Sequence, residues 1–316
     1  MSSAELDGLL RQVDALCERR DWDALVALRD RCRAALQRGK QWWPAASYAE
    51  YRLALEAPGR WAAHVVAELG TGRFALGPLT EVAACTHTWE ELAGPGPQLA
   101  LAAHERVVRG EDLRGDSRVD DVLELPLALQ PWEPTYPVAQ YTASEAVFPT
   151  PPLPHLSGSA DRVMPNRAIQ DDDAVRGLID LAHTWITASN GRAEAVAVDG
   201  DAMGAAAALG APRLRMVEMS PADAMAWMAW VAASGGAHGR RRGMAAGRFD
   251  SWWVLSALGG ILDLWPVPPD EVGEIASDLR WYAWDAGEPG TGWGLRMAVE
   301  DPLEHRAWAV LAVDAD

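Results

Sequence analysis

The spacing of proline is the feature that most limits how this chain can fold. Nine prolines lie between Pro126 and Pro165, and proline has no backbone N–H to donate within a helix or a central strand. A flexible linker would be polar, yet this segment carries four large aromatic residues, Trp132, Tyr136, Tyr141 and Phe148. Leaving each of them in water forgoes roughly 1.5–3 kcal/mol of burial. The pattern therefore predicts an extended belt over residues 114–169 that lies on the protein surface.

Two local features are expected within this belt. The stretch Val122–Leu129 is predicted as an edge strand, because Pro126 fits an edge strand and not a central one. The stretch Pro149–Ser159, rich in proline and serine, is predicted to be the most disordered part.

The residues before the belt, 1–113, repeat apolar side chains at helical spacing. The stripes predict six helices, at 6–17, 22–36, 43–55, 61–69, 77–85 and 97–109. Short helices with short connections favour a helical-hairpin stack. No fixed internal period appears, so the sequence does not establish a repeat array.

The residues after the belt, 170–316, are typical of a mixed α/β region with about five strands. The predicted strands cover 193–198, 214–219, 280–285, 292–300 and 306–313. In the fourth of these, apolar residues alternate with small or charged ones, as in a half-buried strand. Helices are predicted at 171–189, 221–234 and 246–264, with another beginning at Pro269. The predicted fold class is therefore α+β.

Composition excludes several classes of function. The net charge of −17 over 316 residues repels phosphate backbones and disfavours nucleic acid as a partner. The chain has 27 arginines and one lysine, Lys40, whereas P-loop proteins, protein kinases and pyridoxal-phosphate enzymes each need a lysine at a defined position. We therefore expect no cofactor. The abundance of Arg, Ala, Gly and Trp suggests a high-GC bacterial genome.

The cysteines and the N-terminus predict a cytoplasmic protein. Cys17, Cys32 and Cys85 form no Cys-x-x-Cys pair and are odd in number, which is typical of a reduced compartment without a structural zinc site. No basic segment followed by an apolar one opens the chain, and no apolar run reaches the roughly 20 residues of a membrane helix. We expect neither membrane contact nor a bound metal.

The strongest candidate site is the Gly/His/Arg loop, defined as Gly235–Gly243. Its glycines let a backbone approach a ligand and free N–H groups for an anion, and its arginines can grip phosphate or carboxylate oxygens. The residues assigned to ligand binding are Gly236, Gly239, Arg240, Arg241, Arg242 and Arg248. His238 can titrate near neutral pH and is the candidate catalytic acid or base. The alternative is structural, with the arginines paired to carboxylates of a partner chain or a neighbouring element.

Three weaker candidates remain. Asp199 and Asp201 follow a strand, as the magnesium ligands of haloacid-dehalogenase-like phosphatases do. The chain departs from that pattern at Met203 and has no lysine downstream, so an acidic turn at a helix N-terminus is the ordinary explanation. The stretch Cys85–Glu91 holds metal-ligand residue types, although Thr88 and Glu91 fit a helix capping box better. The third candidate is a pocket near Glu288 formed by Trp281, Trp284 and Trp293, with burial in the core as the alternative.

Parts of the chain resemble uncharacterised proteins of actinobacteria. The resemblance rests on Gly236–Gly243 followed by Phe249–Trp253, and on Glu288–Trp293, and it extends over most of the chain. That family has no assigned activity, so the resemblance implies no functional residue.

These features lead to two hypotheses of function. The first is a cytoplasmic, non-catalytic binding or scaffold protein that contacts protein partners and self-associates. The alternative is a cofactor-independent enzyme or small-molecule binder, in which the Gly/His/Arg loop holds a phosphate- or carboxylate-bearing ligand. A loop lying over a pocket with a second titratable group would favour the alternative.

Overall fold

The computed structural model describes residues 3–72, 75–157, 160–287 and 292–315. The chain forms two compact units. The first contains Met1–Ala128 and Val138–Pro149, and the second contains Leu129–Pro137 and Thr150–Asp316. The predicted belt is divided between the two units. Its residues 129–137 belong to the second unit, residues 138–149 belong to the first, and the chain from Thr150 onward belongs to the second.

The first unit is helical, as its apolar stripes predict. Its elements are α1 (Ser3–Glu18), α2 (Trp22–Leu36), α3 (Trp43–Glu56), α4 (Gly59–Ala67), α5 (Leu79–Thr86), α6 (Trp89–Leu92), α7 (Pro97–Val107), β1 (Gln140–Tyr141) and β2 (Ala146–Val147). Helix α3 is central, since it contacts α1, α2, α4 and α5 and buries most of its residues. The predicted capping box is confirmed at the start of α6, where the Thr88 N–H donates to Glu91 Oε2 at 2.9 Å.

The edge strand predicted at Val122–Leu129 is wrong. These residues are irregular in the described structure, and the Leu113 N–H donates to the Leu127 carbonyl at 2.8 Å. A local cause lies at Glu124, whose φ of +53° is in the left-handed region and interrupts an extended chain.

The second unit is built on a seven-stranded sheet. Its strands are β3 (Asp161–Arg162), β4 (Arg167–Ile169), β5 (Arg192–Asp199), β6 (Arg213–Met219), β7 (Arg280–Asp285), β8 (Trp293–Asp301) and β9 (Arg306–Asp314), in the order β3-β6-β7-β8-β9-β5-β4. All neighbours are antiparallel. The five longer strands are those that the sequence predicts, and the two short edge strands come from the belt. The α+β class is confirmed.

Helices cover both faces of this sheet. They are α8 (Asp172–Asp180), α9 (His183–Ala188), α10 (Ala202–Ala208), α11 (Pro221–Ala233), α12 (Met244–Leu258) and α13 (Pro269–Asp278), with a 3₁₀ turn at Leu262–Leu264. The alanines of α10 pack on Leu214, Trp284 and Ala298. Because side chains alternate along a strand, Trp281 and Met297 face the other side, where α8 and α11 contact the sheet. None of the described helices is both long and apolar enough to cross a membrane.

Candidate functional site

The Gly/His/Arg loop joins α11 to α12, and its backbone is bound to the rest of its own unit. Gly236 has a φ of +68°, and a Cβ at this position would overlap the Asp314 carboxylate and the Trp185 indole. The Ala237 N–H donates to Asp314 Oδ2 at 2.6 Å. The loop backbone therefore approaches a carboxylate closely. This carboxylate is the buried side chain of Asp314, at the end of β9.

The remaining loop residues lie nearer the solvent. The side chains of His238 and Arg240 are exposed and that of Arg241 is half-buried. The His238 backbone N–H donates to Ser189 Oγ at 3.0 Å, and the backbone of Gly239 packs against Gly235. The backbone of the loop is thus fixed by contacts within its own unit, and the side chains of His238 and Arg240 are exposed.

Arg242 contacts the wall of a cavity of about 330 Å³. It forms an ion pair with Asp250, and Asp250 lines this cavity with Asp180, Arg176 and Trp253. Burial raises the pKa of Asp250, and the charge of Arg242 opposes that shift. No residue of the Gly/His/Arg loop is among the described residues that line this cavity of about 330 Å³. Ligand binding by the loop and catalysis by His238 stay predictions.

Arg248, the last of the predicted ligand residues, is buried in the core of the second unit. Its Nε and Nη2 donate to the two carboxylate oxygens of Glu133 at 2.7 Å each, and both side chains are 0% exposed. Burial disfavours ionisation of Glu133, but the hydrogen bonds and charge of Arg248 hold its pKa below the ordinary value. Tyr136 Oη and Trp252 Nε1 donate to the same carboxylate. Arg248 therefore neutralises a belt carboxylate and does not face solvent.

A cavity of about 660 Å³ lies elsewhere in the second unit. Its lining is mostly aromatic, aliphatic and proline side chains: Thr150, Pro151, Pro152, Leu153, Leu156, Met219, Trp227, Trp230, Ala283, Trp284, Asp285, Gly292, Trp293, Gly294, Leu295, Arg296, Met297 and Val313. Of the three tryptophans proposed for a pocket, Trp284 and Trp293 line it. Trp281 is a core residue whose indole N–H donates to the Ala276 carbonyl at 2.9 Å, and Glu288 lies outside the described residues.

The cavity exists because two adjacent strands separate. Pairing of β7 with β8 extends only to Ala283 opposite Met297. The flanking pairs continue further, to Asp285 between β6 and β7 and to Trp293 between β8 and β9. In the described structure, the ends of β7 and β8 therefore form a fork, and residues of both strands line the space between them.

Four tryptophans form one continuous aromatic group beside this fork, and one of them, Trp185, meets Trp230 and Trp293 edge-on at 6.2 Å each. The rings of Trp230 and Trp293 stack with centroids 5.0 Å apart and an interplanar angle of 18°. Trp227 meets Trp230 edge-on at 5.3 Å. Such geometries suit the quadrupoles of aromatic rings, so the rings in this wall of the cavity stabilise one another.

A proline-rich part of the belt forms another wall. The Trp227 indole N–H donates to the Pro152 carbonyl at 3.0 Å, and Pro151 is buried while Leu153 remains exposed. Proline-rich segments dock on aromatic grooves in this way, because their carbonyls have no internal partner. This wall belongs to the stretch Pro149–Ser159, which was predicted to be the most disordered part of the belt. The structure describes this stretch up to residue 157, and residues 158 and 159 lie outside the described residues.

The charged residues of the lining are Asp285 and Arg296. Asp285 is neutralised by Arg215, whose Nη2 lies 3.0 and 2.9 Å from its two carboxylate oxygens.

The other candidate residues have structural roles. Asp201 is the N-cap of α10 and accepts the Gly204 N–H at 2.7 Å, and Asp199 pairs with Arg167 at 2.7 Å. His87 is buried, with Nε2 2.7 Å from the Ala57 carbonyl oxygen. Among the described residues, no three His, Cys, Asp or Glu side chains are placed to hold a metal ion.

Sequence reasoning did not assign Trp227 and Trp230 to a pocket. Their spacing of three residues fits one face of a buried helix, which favoured a core role. The available signal was composition: 16 tryptophans against five tyrosines and three phenylalanines. That excess pointed to specialised aromatic surfaces without placing them.

The fold and the fork define an α+β protein with a tryptophan-lined cavity in an antiparallel sheet. The chain belongs to DUF6183, a family of unknown function whose model matches residues 7–316. This confirms the resemblance to an uncharacterised family and assigns no functional residue. No curated protein and no solved structure matches the chain.

Proposed function

We propose that this protein is a non-catalytic binding protein whose ligand occupies the tryptophan-lined cavity. The cavity supports the proposal by its size, since about 660 Å³ falls within the roughly 300–1,000 Å³ of small-molecule sites. Its composition supports the proposal as well, because such sites combine an apolar lining with a few polar groups. The expected ligand is an organic molecule with a large apolar surface.

The packing around the fork favours a ligand over a simple packing defect. Protein interiors are close-packed, and side chains beside an empty space lose dispersion contacts on one side. Here four tryptophans border the empty space, although they are the side chains with most contact surface to lose. An apolar ligand between β7 and β8 would restore those contacts.

Binding of N-phenyl-1-naphthylamine, a neutral dye that fluoresces in apolar surroundings, tests this function. We expect saturable binding of one dye per chain. Trp227→Ala and Trp293→Ala should each weaken it about tenfold or more, because each removes a wall of the cavity. Trp253→Ala is the matched control: Trp253 is 37% exposed, lies outside this lining, and its loss should change the dye affinity less than twofold.

The proposal fails if the dye does not bind, or if the Trp227 and Trp293 variants bind it as the unchanged protein does. Circular dichroism of each variant has to match the unchanged protein, so that lost binding reports the cavity and not unfolding.

The same proposal includes four further expectations. They are contact with a protein partner, self-association, a cytoplasmic location and a high-GC bacterial source. Their support is the acidic, tryptophan-rich composition and three unpaired cysteines, two of them buried. Native mass spectrometry of protein purified gently from its host tests the partners. A multiple of the chain mass or a second protein would support association, whereas a bare monomer would contradict it.

A further inference from the structure

The cavity of about 330 Å³ lies in the groove between α8 and α12 of the second unit. Gly177 of α8 faces Val254 of α12, and a Cβ at this glycine would be 3.4 Å from Val254 Cγ2, so the two helices lie close together beside the groove. The described lining of this α8–α12 cavity comes from these two helices: Arg176, Gly177, Asp180, Leu181, Phe249, Asp250 and Trp253. Its volume falls at the lower end of the roughly 300–1,000 Å³ of small-molecule sites.

Aromatic rings form one wall of the α8–α12 cavity. Phe249 and Trp253 lie one helical turn apart on α12, with ring centroids 6.1 Å apart and an interplanar angle of 26°. Trp265 contacts both rings, at 5.5 and 5.2 Å, and Trp253 is 37% exposed. A large exposed aromatic side chain beside a cavity favours a ligand with an apolar part.

Two lining side chains of opposite charge have no partner among the described residues. Arg176 and Asp180 are exposed and lie one turn apart on α8, at the spacing where opposite charges commonly pair. Neither side chain forms a hydrogen bond or an ion pair with any described residue. The other charged residue of the lining, Asp250, is already paired with Arg242. The groups left to bind a ligand are therefore one guanidinium and one carboxylate.

We propose that the α8–α12 cavity binds the zwitterion of an α-amino acid with an aromatic or large aliphatic side chain. The Arg176 guanidinium donates hydrogen bonds to the carboxylate of the ligand, Asp180 accepts from its ammonium group, and its apolar side chain lies against Trp253. An α-amino acid carries both charged groups on one carbon, so two flexible side chains one turn apart can bind them together. A ligand with a single charge would leave one of the two protein groups unpaired. This site is separate from the fork, and the inference does not depend on the proposed function.

Calorimetric titration of the full chain at neutral pH with L-phenylalanine, phenethylamine and 3-phenylpropionate tests the ligand class. The three probes share a benzene ring on the same two-carbon chain, but only phenylalanine carries both charges. Phenylalanine should bind at least about tenfold more tightly than either analogue, because a hydrogen bond to a charged group contributes about that much. Equal or tighter binding of an analogue, or no saturable binding of phenylalanine at millimolar concentrations, would overturn the proposal.

Two variants test the assigned groups separately. Arg176→Gln should weaken phenylalanine binding about tenfold and leave phenethylamine within twofold, because the amine has no carboxylate. Asp180→Asn should weaken phenylalanine binding by a similar factor and leave 3-phenylpropionate within twofold, because the acid has no ammonium group. Unchanged phenylalanine affinity in either variant would overturn the proposal.

Asp173→Asn is the matched control for these variants. Asp173 is an exposed acidic residue of α8 outside the lining, and its replacement should change all three affinities less than twofold. Since Arg176, Asp180 and Asp173 are all exposed, we expect each variant to fold as the unchanged protein does.

Two tryptophan variants separate this site from the fork. Trp253→Ala should weaken phenylalanine binding about tenfold, because it removes the aromatic wall, whereas Trp227→Ala should leave phenylalanine binding within twofold. Loss of phenylalanine binding in Trp227→Ala but not in Trp253→Ala would place the amino acid at the fork and overturn this inference. If the neutral dye fails to bind and phenylalanine binds with the expected preference, the proposed function fails and this inference stands.

Discussion

The ion pair of Glu133 and Arg248 is the residue-scale feature on which the second unit most depends. Both side chains are fully buried, and removal of one partner leaves a buried charge without compensation. Glu133→Gln should therefore lower the free energy of unfolding by about 3–5 kcal/mol, measured by urea denaturation at pH 7. Glu145→Gln, at an exposed position of the belt, should change it by less than about 0.5 kcal/mol. Equal effects of both variants would show that the buried pair contributes nothing special.

The same carboxylate sets a pH dependence. The pKa of Glu133 is held below its ordinary value in the folded protein by the hydrogen bonds and charge of Arg248, so the unfolded chain takes up the proton first as the pH falls. Stability from this group is complete above about pH 5 and is lost as the pH falls through its folded pKa. Urea unfolding between pH 7 and pH 3 should show a weaker decline in Glu133→Gln than in the unchanged protein. An identical decline would mean that other carboxylates control acid unfolding.

The three cysteines differ in accessibility. Cys17 and Cys32 are buried, whereas Cys85 is partly exposed, and burial raises the pKa of the Cys17 thiol to about 11. Because the thiolate is the reactive form, a thiol reagent at pH 8 should modify one cysteine rapidly and the other two only after unfolding. Cys85→Ser should abolish the rapid phase. Rapid modification of two or more thiols in the native protein would contradict the described burial.

At the scale of elements, local pattern was enough to find most helices and strands but not the candidate site. The strand Trp293–Asp301 follows from the alternation of apolar with small or charged residues, and the strand Arg192–Asp199 contains a short apolar run. The fork depends on where β7 stops pairing with β8, which no local pattern encodes. The backbone of the Gly/His/Arg loop contacts the carboxylate of Asp314, which is 77 residues away from Ala237 in sequence, and ligand binding by this loop stays a prediction. Long-range partners of this kind are set by tertiary packing.

The backbone conformation of the Gly/His/Arg loop depends on Gly236. Its positive φ disfavours any side chain by about 1–2 kcal/mol, and a Cβ would also collide with Asp314. Gly210 is a matched control, because its φ is +89° but nothing lies within 4 Å of a Cβ there. Gly236→Ala should destabilise the protein by at least about 1 kcal/mol more than Gly210→Ala, measured by thermal or urea unfolding. A difference near zero would show that Asp314 moves away without cost.

At the scale of the whole molecule, the path of the belt decides what counts as a folding unit. The predicted C-terminal region, 170–316, contains all five long strands and α8 to α13. The second unit also includes Leu129–Pro137, which supplies Glu133 to Arg248 and Trp132 to Trp252, with ring centroids 5.0 Å apart. A short belt segment far from the strands in sequence is therefore part of their core.

This path predicts different behaviour for two fragments. The fragment 170–316 keeps Arg248 but lacks Glu133, the carboxylate that pairs with it. Loss of this partner lowers the free energy of unfolding by about 3–5 kcal/mol, a large share of the roughly 5–15 kcal/mol that stabilise a domain. We expect it to show poor dispersion in NMR spectra and no cooperative thermal transition. The fragment 129–316 restores Glu133 and should unfold cooperatively. If 170–316 alone melts at the same temperature as the longer fragment, the belt segment is dispensable. Residue 170, predicted from sequence as the start of the C-terminal region, is then a true domain boundary. If only the longer fragment folds, the boundary lies within the belt, before residue 170.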